Sequence, residues 1–207
     1  LREVLNIAKE YEMLVIADEV YGDLVFSGNE FVSMRSLVSD AQVESLYIVG
    51  SPSKSHGMSG FRLGYIVANK TFVKQCISVN SQTISNVPVY AQKIWVDVVR
   101  HKTFQSDYKA ELEQRYNEAY AALKKANLFE LAQEKATIYL FPKLPVMRLS
   151  DSEYCLHMLK TKGIAMLPGS AFGMPGYVRI SVGNSTLSEI QEGMKLLVEE
   201  TKKLITQ

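Results

Sequence analysis

The sequence is poor in the residues that metal and redox chemistry require. It has 2 cysteines and 3 histidines among 207 residues. Cys76 and Cys155 lie far apart and fit no metal or redox spacing, and His56, His101 and His157 are scattered. Metal catalysis therefore has no support, and reduced, buried thiols in a cytosolic protein are the default. Neither sign of charge is in excess: 23 Lys and Arg face 22 Asp and Glu, for a net charge of +1. That balance argues against a nucleic-acid or polyanion binder, which needs a concentrated basic face. No apolar run approaches membrane-spanning length. The start, Leu1-Arg2-Glu3-Val4, is neither a signal nor a transit peptide. It also lacks an initiator methionine and opens inside an apparent helix, so the chain is expected to be a piece of something longer. Repeats and low-complexity tracts are absent.

With 47% hydrophobic residues, the chain can bury a substantial core in one or two domains. Leu1, Val4, Leu5 and Ala8 recur at helical spacing within Leu1–Tyr11. Met13-Leu14-Val15-Ile16-Ala17 follows as a continuous apolar run stopping at Asp18-Glu19, and Leu46–Gly50 and Leu63–Ala68 are further runs of that kind. Continuous runs predict buried strands, and a helix followed by a fully apolar strand predicts an α/β protein with a mainly parallel sheet. In such sheets ligands gather at the carboxyl ends of the strands. Asp18, Tyr21, Ser51 and Lys54 sit at or just past such ends.

The chain is organised around Ser51-Pro52-Ser53-Lys54-Ser55-His56-Gly57-Met58-Ser59-Gly60-Phe61-Arg62, which joins two of these strands. Its small residues let backbone approach a ligand closely, and its serine hydroxyls can donate to phosphate oxygens. Arg62, eight residues after Lys54, suits a phosphate clamp. Taken singly, Lys54 and Arg62 read equally well as solvated surface cations, and Tyr21 as packing.

Elsewhere the pattern predicts a surface loop over Phe26–Asp40, helices over Thr71–Gln82, Val89 to about Arg100 and about Phe104–Ala126, and a core position for Trp95. The longest helix, charged on most faces, suggests a boundary near its middle, dividing the chain into 1–110 and 111–207. The second part reads as a small α+β unit. It has a strand over Thr137–Phe141, a helix over Asp151–Lys162 capped by Asp151 or Ser152 and stopped by Gly163, and a short strand over Ile164–Leu167. A glycine-rich loop over Pro168–Gly173, a strand over Tyr177–Val182, and a last helix with a Thr186/Glu189 capping box complete it. Arg179 stands among apolar residues of that last strand. It either faces water from an edge strand or offers its guanidinium fork to a carboxylate.

The run Ser51-Pro52-Ser53-Lys54 through Gly60-Phe61-Arg62 resembles the pyridoxal-phosphate attachment segment of fold-type I aminotransferases, the aspartate aminotransferase superfamily. Ala17-Asp18-Glu19-Val20-Tyr21 resembles the same family's acid-and-tyrosine segment, and Tyr177-Val178-Arg179-Ile180-Ser181 its substrate-arginine strand. The three occur in the family's order. The resemblance implies a C-terminal half: the end of the large cofactor domain over 1–110 and the small C-terminal domain over 111–207. It further implies pyridoxal 5′-phosphate as cofactor, Lys54 as the Schiff-base lysine and proton carrier, and Asp18 on the pyridine nitrogen. Tyr21 would bond the ring's phenolic oxygen, Ser51 and Arg62 the phosphate, and Arg179 the substrate carboxylate. Ser53 and His56 are assigned only packing or local hydrogen bonds, and Glu19 a structural role.

The implied activity is transfer of an amino group between an aromatic or neutral L-amino acid and a 2-oxo acid, in a cytoplasmic enzyme that is a homodimer at full length. Val20–Phe26 looks most like the tyrosine, alanine and aromatic aminotransferases. The same machinery also serves lyases, such as aminocyclopropane-carboxylate synthases and cystathionine β-lyases, and a non-catalytic remnant is a third reading. Several of the family's cofactor-binding parts have no counterpart here: the upstream asparagine, the phosphate-cradling loop, the stacking aromatic and the residues lent by a partner subunit. The sheet should accordingly show an open edge and an uncovered apolar face, and the isolated chain should be inactive or weakly folded.

Overall fold

The computed structural model describes residues 1–38 and 44–205. The chain divides into two compact units, Leu1–Lys109 and Ala110–Gln207.

In the first unit, helix α1 (Arg2–Glu10) leads into strand β1 (Val15–Asp18). Only Leu5 and Ala8 of its apolar face are buried; Leu1 and Val4 are exposed. A long connection holding 3-10 turns at Gly22–Leu24 and Met34–Leu37 then reaches strand β2 (Leu46–Gly50). Glu19 closes part of this connection by accepting from Ser33 Oγ at 3.1 Å and Met34 N at 2.8 Å. Residues Ser39 and Asp40, at the end of the expected loop, lie outside the described residues. Helix α2 (Pro52–Ser55) and strand β3 (Tyr65–Val67) follow.

The sheet order is β1-β2-β3. β1 runs parallel to β2, with Val15 opposite Leu46 and Asp18 opposite Val49. β3 runs antiparallel to β2, with Gly50 opposite Tyr65. The sheet is thus mixed where a mainly parallel one was expected. The link from β2 to β3 carries no full crossover helix, and an antiparallel return needs none.

The three strands are not equally buried, contrary to the expectation from their continuous apolar runs. β2, in the middle, buries Leu46, Tyr47 and Ile48, but Ile16 of β1 is 70% exposed and Tyr65 of β3 is 45% exposed. Both outer strands keep a largely exposed face, and Met13 and Leu14 extend the exposed apolar surface beside β1. This is the open, apolar sheet face that the sequence led one to expect of an incomplete sheet.

Helix α3 (Lys70–Thr83) is capped by Asn69, whose Oδ1 accepts from Phe72 N at 2.8 Å. Phe72 stacks on Tyr47 with ring centroids 4.0 Å apart, which seats α3 against β2. Helix α4 (Val89–Arg100) starts directly after Pro88, and its Ala91 is fully buried. Trp95 was expected in the core. It is instead half-buried and stacks on Tyr65 at 5.4 Å, because the strand it faces is itself exposed.

Helix α5 (Lys102–Ala126) contains the division between the units. In the second unit, strand β4 (Tyr139–Leu140), helix α6 (Asp151–Lys162), strand β5 (Leu167–Pro168), strand β6 (Val178–Ser181) and helix α7 (Leu187–Ile205) build a small α+β layer. The sheet order is β4-β6-β5, with both pairings antiparallel. Two strands are shorter than expected. The segment 137–141 pairs only at Tyr139 and Leu140, since Thr137 takes a left-handed backbone at φ 88°. The segment 164–167 pairs only where Leu167 faces Arg179, and continues at Pro168 opposite Val178. Pro168 has no N–H to give, which an edge strand tolerates.

The N-cap of α6 is Ser150, not Asp151 or Ser152. Its hydroxyl accepts from Glu153 N at 3.3 Å while Glu153 accepts from Ser150 N at 2.8 Å, a reciprocal capping box. Asp151 is drawn away to Ser170 N at 2.6 Å, tying α6 to the 3-10 turn Gly169–Phe172. Gly163 ends α6 in the left-handed conformation, and Thr186 with Glu189 forms the expected box at α7.

Tyr116, Leu112 and Leu123 of α5, Tyr154 and Met158 of α6, Val178 of β6 and Leu197 of α7 are fully buried. Each large apolar side chain removed from water contributes roughly 1.5–3 kcal/mol. Within this core the Thr201 hydroxyl donates to Leu197 O at 2.6 Å, so Tyr154 donates to Thr201 at 2.7 Å. Burial pushes the Tyr154 phenol up to about 12.

Glu200 of α7 meets His157 Nε2 at 2.9 Å and Lys162 Nζ at 3.1 Å on α6, and Lys203 Nζ at 3.2 Å on its own helix. Hydrogen bonds from His157 and Lys162 hold its carboxyl down to about 2. A carboxylate held below its unfolded value near 4.5 stabilises the fold above that pH, and the contribution disappears as the pH falls toward 2. Glu200→Gln should therefore cost about 1–2 kcal/mol at pH 7, after solvent screening of the cations, and progressively less as the pH falls from 4.5 toward 2. Urea midpoints of both chains across that range check it.

Candidate active site

β2 delivers the chain into a single helical turn. Ser51 has the extended backbone of an N-cap, φ −159°, and its Oγ accepts from Ser53 N at 3.1 Å. The same oxygen lies 2.6 Å from Leu63 O and 2.8 Å from Ser53 Oγ. Pro52 fills the first helical position, where its missing N–H is no loss. Lys54 is the third residue of the turn and is half-buried. No hydrogen bond or ion pair ties it down among the described residues.

The turn is closed behind Lys54 by two buried residues. Ser55 Oγ and His56 Nδ1 are 2.7 Å apart. Gly57 then takes φ +63°, a conformation in which glycine avoids a Cβ penalty. After a 3-10 turn at Ser59–Phe61, Arg62 is also left-handed, at φ 52°. Its exposed guanidinium donates to Ser59 O at 2.8 Å.

Asp18 ends β1 opposite Val49, and Glu19 N donates to Val49 O at 2.9 Å, so the ends of β1 and β2 lie side by side. The Asp18 carboxylate is exposed and accepts from Val20 N at 3.1 Å. Tyr21 is half-buried and begins the 3-10 turn Gly22–Leu24, which packs on α2. The structure thus brings Asp18, Tyr21, Ser51, Lys54 and Arg62 to the carboxyl end of one sheet, or to the connections leaving it.

Arg179 belongs to the second unit and is described with it. β6 is the central strand, so the edge-strand alternative does not hold. The guanidinium carbon lies 4.4 Å from the ring centroid of Tyr139 and 4.4 Å from that of Phe172. Arg179 lines a small pocket of about 150 Å³ with Met166 and Ser181. Among the described residues no carboxylate pairs with it.

A larger cleft of about 500 Å³ adjoins the Lys54 turn, lined by Glu19, Asp23, Ser51, His56, Tyr65 and Trp95, among others. Of the site residues expected from sequence, Ser51 alone lines it; Lys54, Asp18, Tyr21 and Arg62 do not. The indole N–H of Trp95 is buried and has no hydrogen-bond partner among the described residues. Sequence reasoning missed Asp23, Tyr65 and Trp95 here, and Tyr139 and Phe172 around Arg179. Each comes from a different element with no spacing signature, and only folding brings them together.

Ser53 and His56 make the local hydrogen bonds expected of them, and Glu19 the structural contacts already described. The donor set around α2 is chemically consistent: a free amine for a carbonyl, a carboxylate at a neighbouring strand end for a protonated ring nitrogen, and a guanidinium with hydroxyls for a phosphate. Ser51 fits less freely. Its single proton is already contested by Leu63 O and Ser53 Oγ, so a phosphate would have to displace one of them.

A parallel strand pair with an acid and a lysine at its carboxyl end, followed by a small α+β unit, defines the pyridoxal-phosphate transferase type I fold in part. The family "Aminotransferase class I and II" matches residues 1–197, and the chain belongs to that family. It is 28% identical over 210 residues to the probable aspartate/prephenate aminotransferase of Aquifex aeolicus, covering 99% of this chain and 53% of that relative. It is 30% identical over 203 residues to the aspartate aminotransferase of Bacillus subtilis, covering 94% of this chain and 51% of the relative. The crystal structure of aspartate aminotransferase from Thermotoga maritima superposes with a TM-score of 0.85 at 26% identity, over 97% of this chain and 51% of that one. The aromatic aminotransferase from Pyrococcus horikoshii shares the fold, with a TM-score of 0.87 at 24% identity, over 97% of this chain and 54% of that one. The chain spans about half the length of the curated relatives it matches.

Burial lowers the pKa of His56 below 6.5, against a smaller raising effect of Asp23. A histidine that is neutral when folded and protonates more readily when unfolded costs stability as the pH falls below 6.5. The chain should lose stability between pH 7 and pH 5, and His56→Asn should flatten that slope. Chemical denaturation at the two pH values checks both.

Proposed function

We propose that this chain is the cofactor-anchoring and substrate-carboxylate half of an aminotransferase that exchanges an amino group between an aromatic or neutral L-amino acid and a 2-oxo acid. The observation that carries this reading is the placement of Lys54, with no hydrogen bond or ion pair among the described residues, on a one-turn helix at the carboxyl end of β2, where the neighbouring parallel strand β1 ends in Asp18. Open α/β sheets bind their ligands at that end. The matched relatives named for aspartate and for aromatic amino acids support the reaction class, and Val20–Phe26 favours the aromatic or neutral side of it.

When bound, pyridoxal phosphate supplies a ring that accepts the electron pair left as a substrate Cα–H bond breaks. Lys54 Nζ would be the covalent attachment point and, once released, the base that holds and moves the substrate's Cα proton. The Asp18 carboxylate would hold a proton on the ring nitrogen. The Tyr21 hydroxyl would donate to the ring's phenolic oxygen. Arg62 and, after reorientation of its hydroxyl, Ser51 would bind the phosphate. Arg179 pairs with the substrate α-carboxylate through two N–H groups, a geometry lysine cannot copy. Leu1–Lys109 acts as the end of the large cofactor domain and the remainder as the small domain. The whole enzyme is a cytoplasmic homodimer.

The test is a single-turnover assay of the whole enzyme, at full length, with pyridoxal phosphate and L-tyrosine or L-alanine. The reading predicts formation of the 2-oxo acid, up to about one equivalent per subunit. Lys54→Ala should return it to the rate of free cofactor, and Asp18→Asn should lower it by roughly 10²-fold or more. Conversion independent of Lys54, or products in which the side chain has been eliminated, would overturn it.

A further inference from the structure

The substrate-carboxylate role given to Arg179 leaves open what holds the guanidinium in place before a carboxylate arrives. We propose that Tyr139 and Phe172 are positioning residues for Arg179, gripping its guanidinium by stacking and leaving its N–H groups for a carboxylate in the pocket it shares with Ser181. This rests on the carboxylate reading of Arg179.

Three observations carry it. Arg179 is half-buried on a central strand yet has no carboxylate partner among the described residues. Two ring centroids lie at the same distance, 4.4 Å, from the guanidinium carbon. Stacking engages the face of the cation, whereas its hydrogen-bond donors lie in its plane, so the two kinds of contact do not compete. An internal ion pair would hold the group as firmly but would occupy the donors.

The second ring is itself firmly placed. Phe172 ends the 3-10 turn Gly169–Phe172, which Ser170 N ties to Asp151 at 2.6 Å. Gly169 sits so close to Met174 O and Tyr177 that any Cβ there would overlap them. Phe172 meets Phe141 edge-on at 6.2 Å, and Phe141 stacks on Tyr177 at 5.3 Å. Tyr139 is held by its pairing with Ser181, the residue that lines the pocket with Arg179.

Phe172 is 45% exposed, so Phe172→Leu should leave the fold intact. The experiment is ¹⁵N–¹H NMR of the arginine Nε–Hε signals of the chain, titrated with acetate against a chloride control of equal ionic strength. Arg179→Lys assigns the Arg179 signal by removing it. In the wild type that signal should be displaced by ring currents and should move on adding acetate. Phe172→Leu should return it toward the free-arginine position and weaken acetate binding roughly two- to fivefold, the worth of one cation–π contact. Phe172→Tyr, which keeps the ring, should restore both. An unshifted Arg179 signal, or unchanged acetate affinity in Phe172→Leu, would overturn the proposal. Acetate binding that survives Arg179→Lys would instead overturn the carboxylate role of Arg179 itself, and the clamp's purpose with it.

Discussion

The first unit's chemistry depends on how one hydroxyl is held. Ser51 Oγ accepts from the backbone of the turn it caps and sits 2.6 Å from Leu63 O, where the chain is about to enter β3. A single side chain thereby joins the exit of β2, the start of α2 and the approach to β3. Substituting such a cap typically costs about 1 kcal/mol. Here the consequence is also positional, because Lys54 lies three residues further along, within that turn. The buried Ser55 and His56 pair closes the turn from the other side. Lys54 is thus left partly exposed and without a partner among the described residues, while the residues around it are committed.

The two cations assigned to anionic groups are held by different means. Arg62 is exposed, left-handed in its backbone and bonded only to a nearby carbonyl, so a phosphate can compete for it with water's help. Arg179 is held by aromatic faces in a half-buried strand. An unpaired buried cation is costly. Stacking offsets part of that cost without consuming donors, which leaves them for the carboxylate proposed above.

Much of this was legible in the sequence, for reasons that are local. The order of helices and strands follows from periodicity, and β2 and α4 fall on their predicted segments because a continuous apolar run marks the first and Pro88 the start of the second. Lys54 with Ser51 and Arg62, and Asp18 with Tyr21, stood out through their places at strand ends together with the resemblance of both segments to the family's. What was not legible depends on neighbours distant in sequence. The N-cap of α6 moved to Ser150 because Ser170 N claims Asp151. The shortened β4 reflects the left-handed backbone at Thr137, which its apolar run does not announce. The exposure of Ile16 and Tyr65 could not be read from their apolar runs, which say that a face needs cover without saying whether these residues provide it. Tyr139 and Phe172 reach Arg179 only once the small sheet has formed.

The central claim is that the α2 turn presents Lys54, and no other lysine, to a carbonyl-bearing phosphate cofactor. The most direct measurement is to equilibrate the chain with stoichiometric pyridoxal phosphate, reduce with borohydride and locate the added mass by peptide mapping. The label should be concentrated on Lys54, and prior unfolding in urea should abolish that preference. Labelling spread evenly over the lysines, the same in native and unfolded chains, would contradict the account.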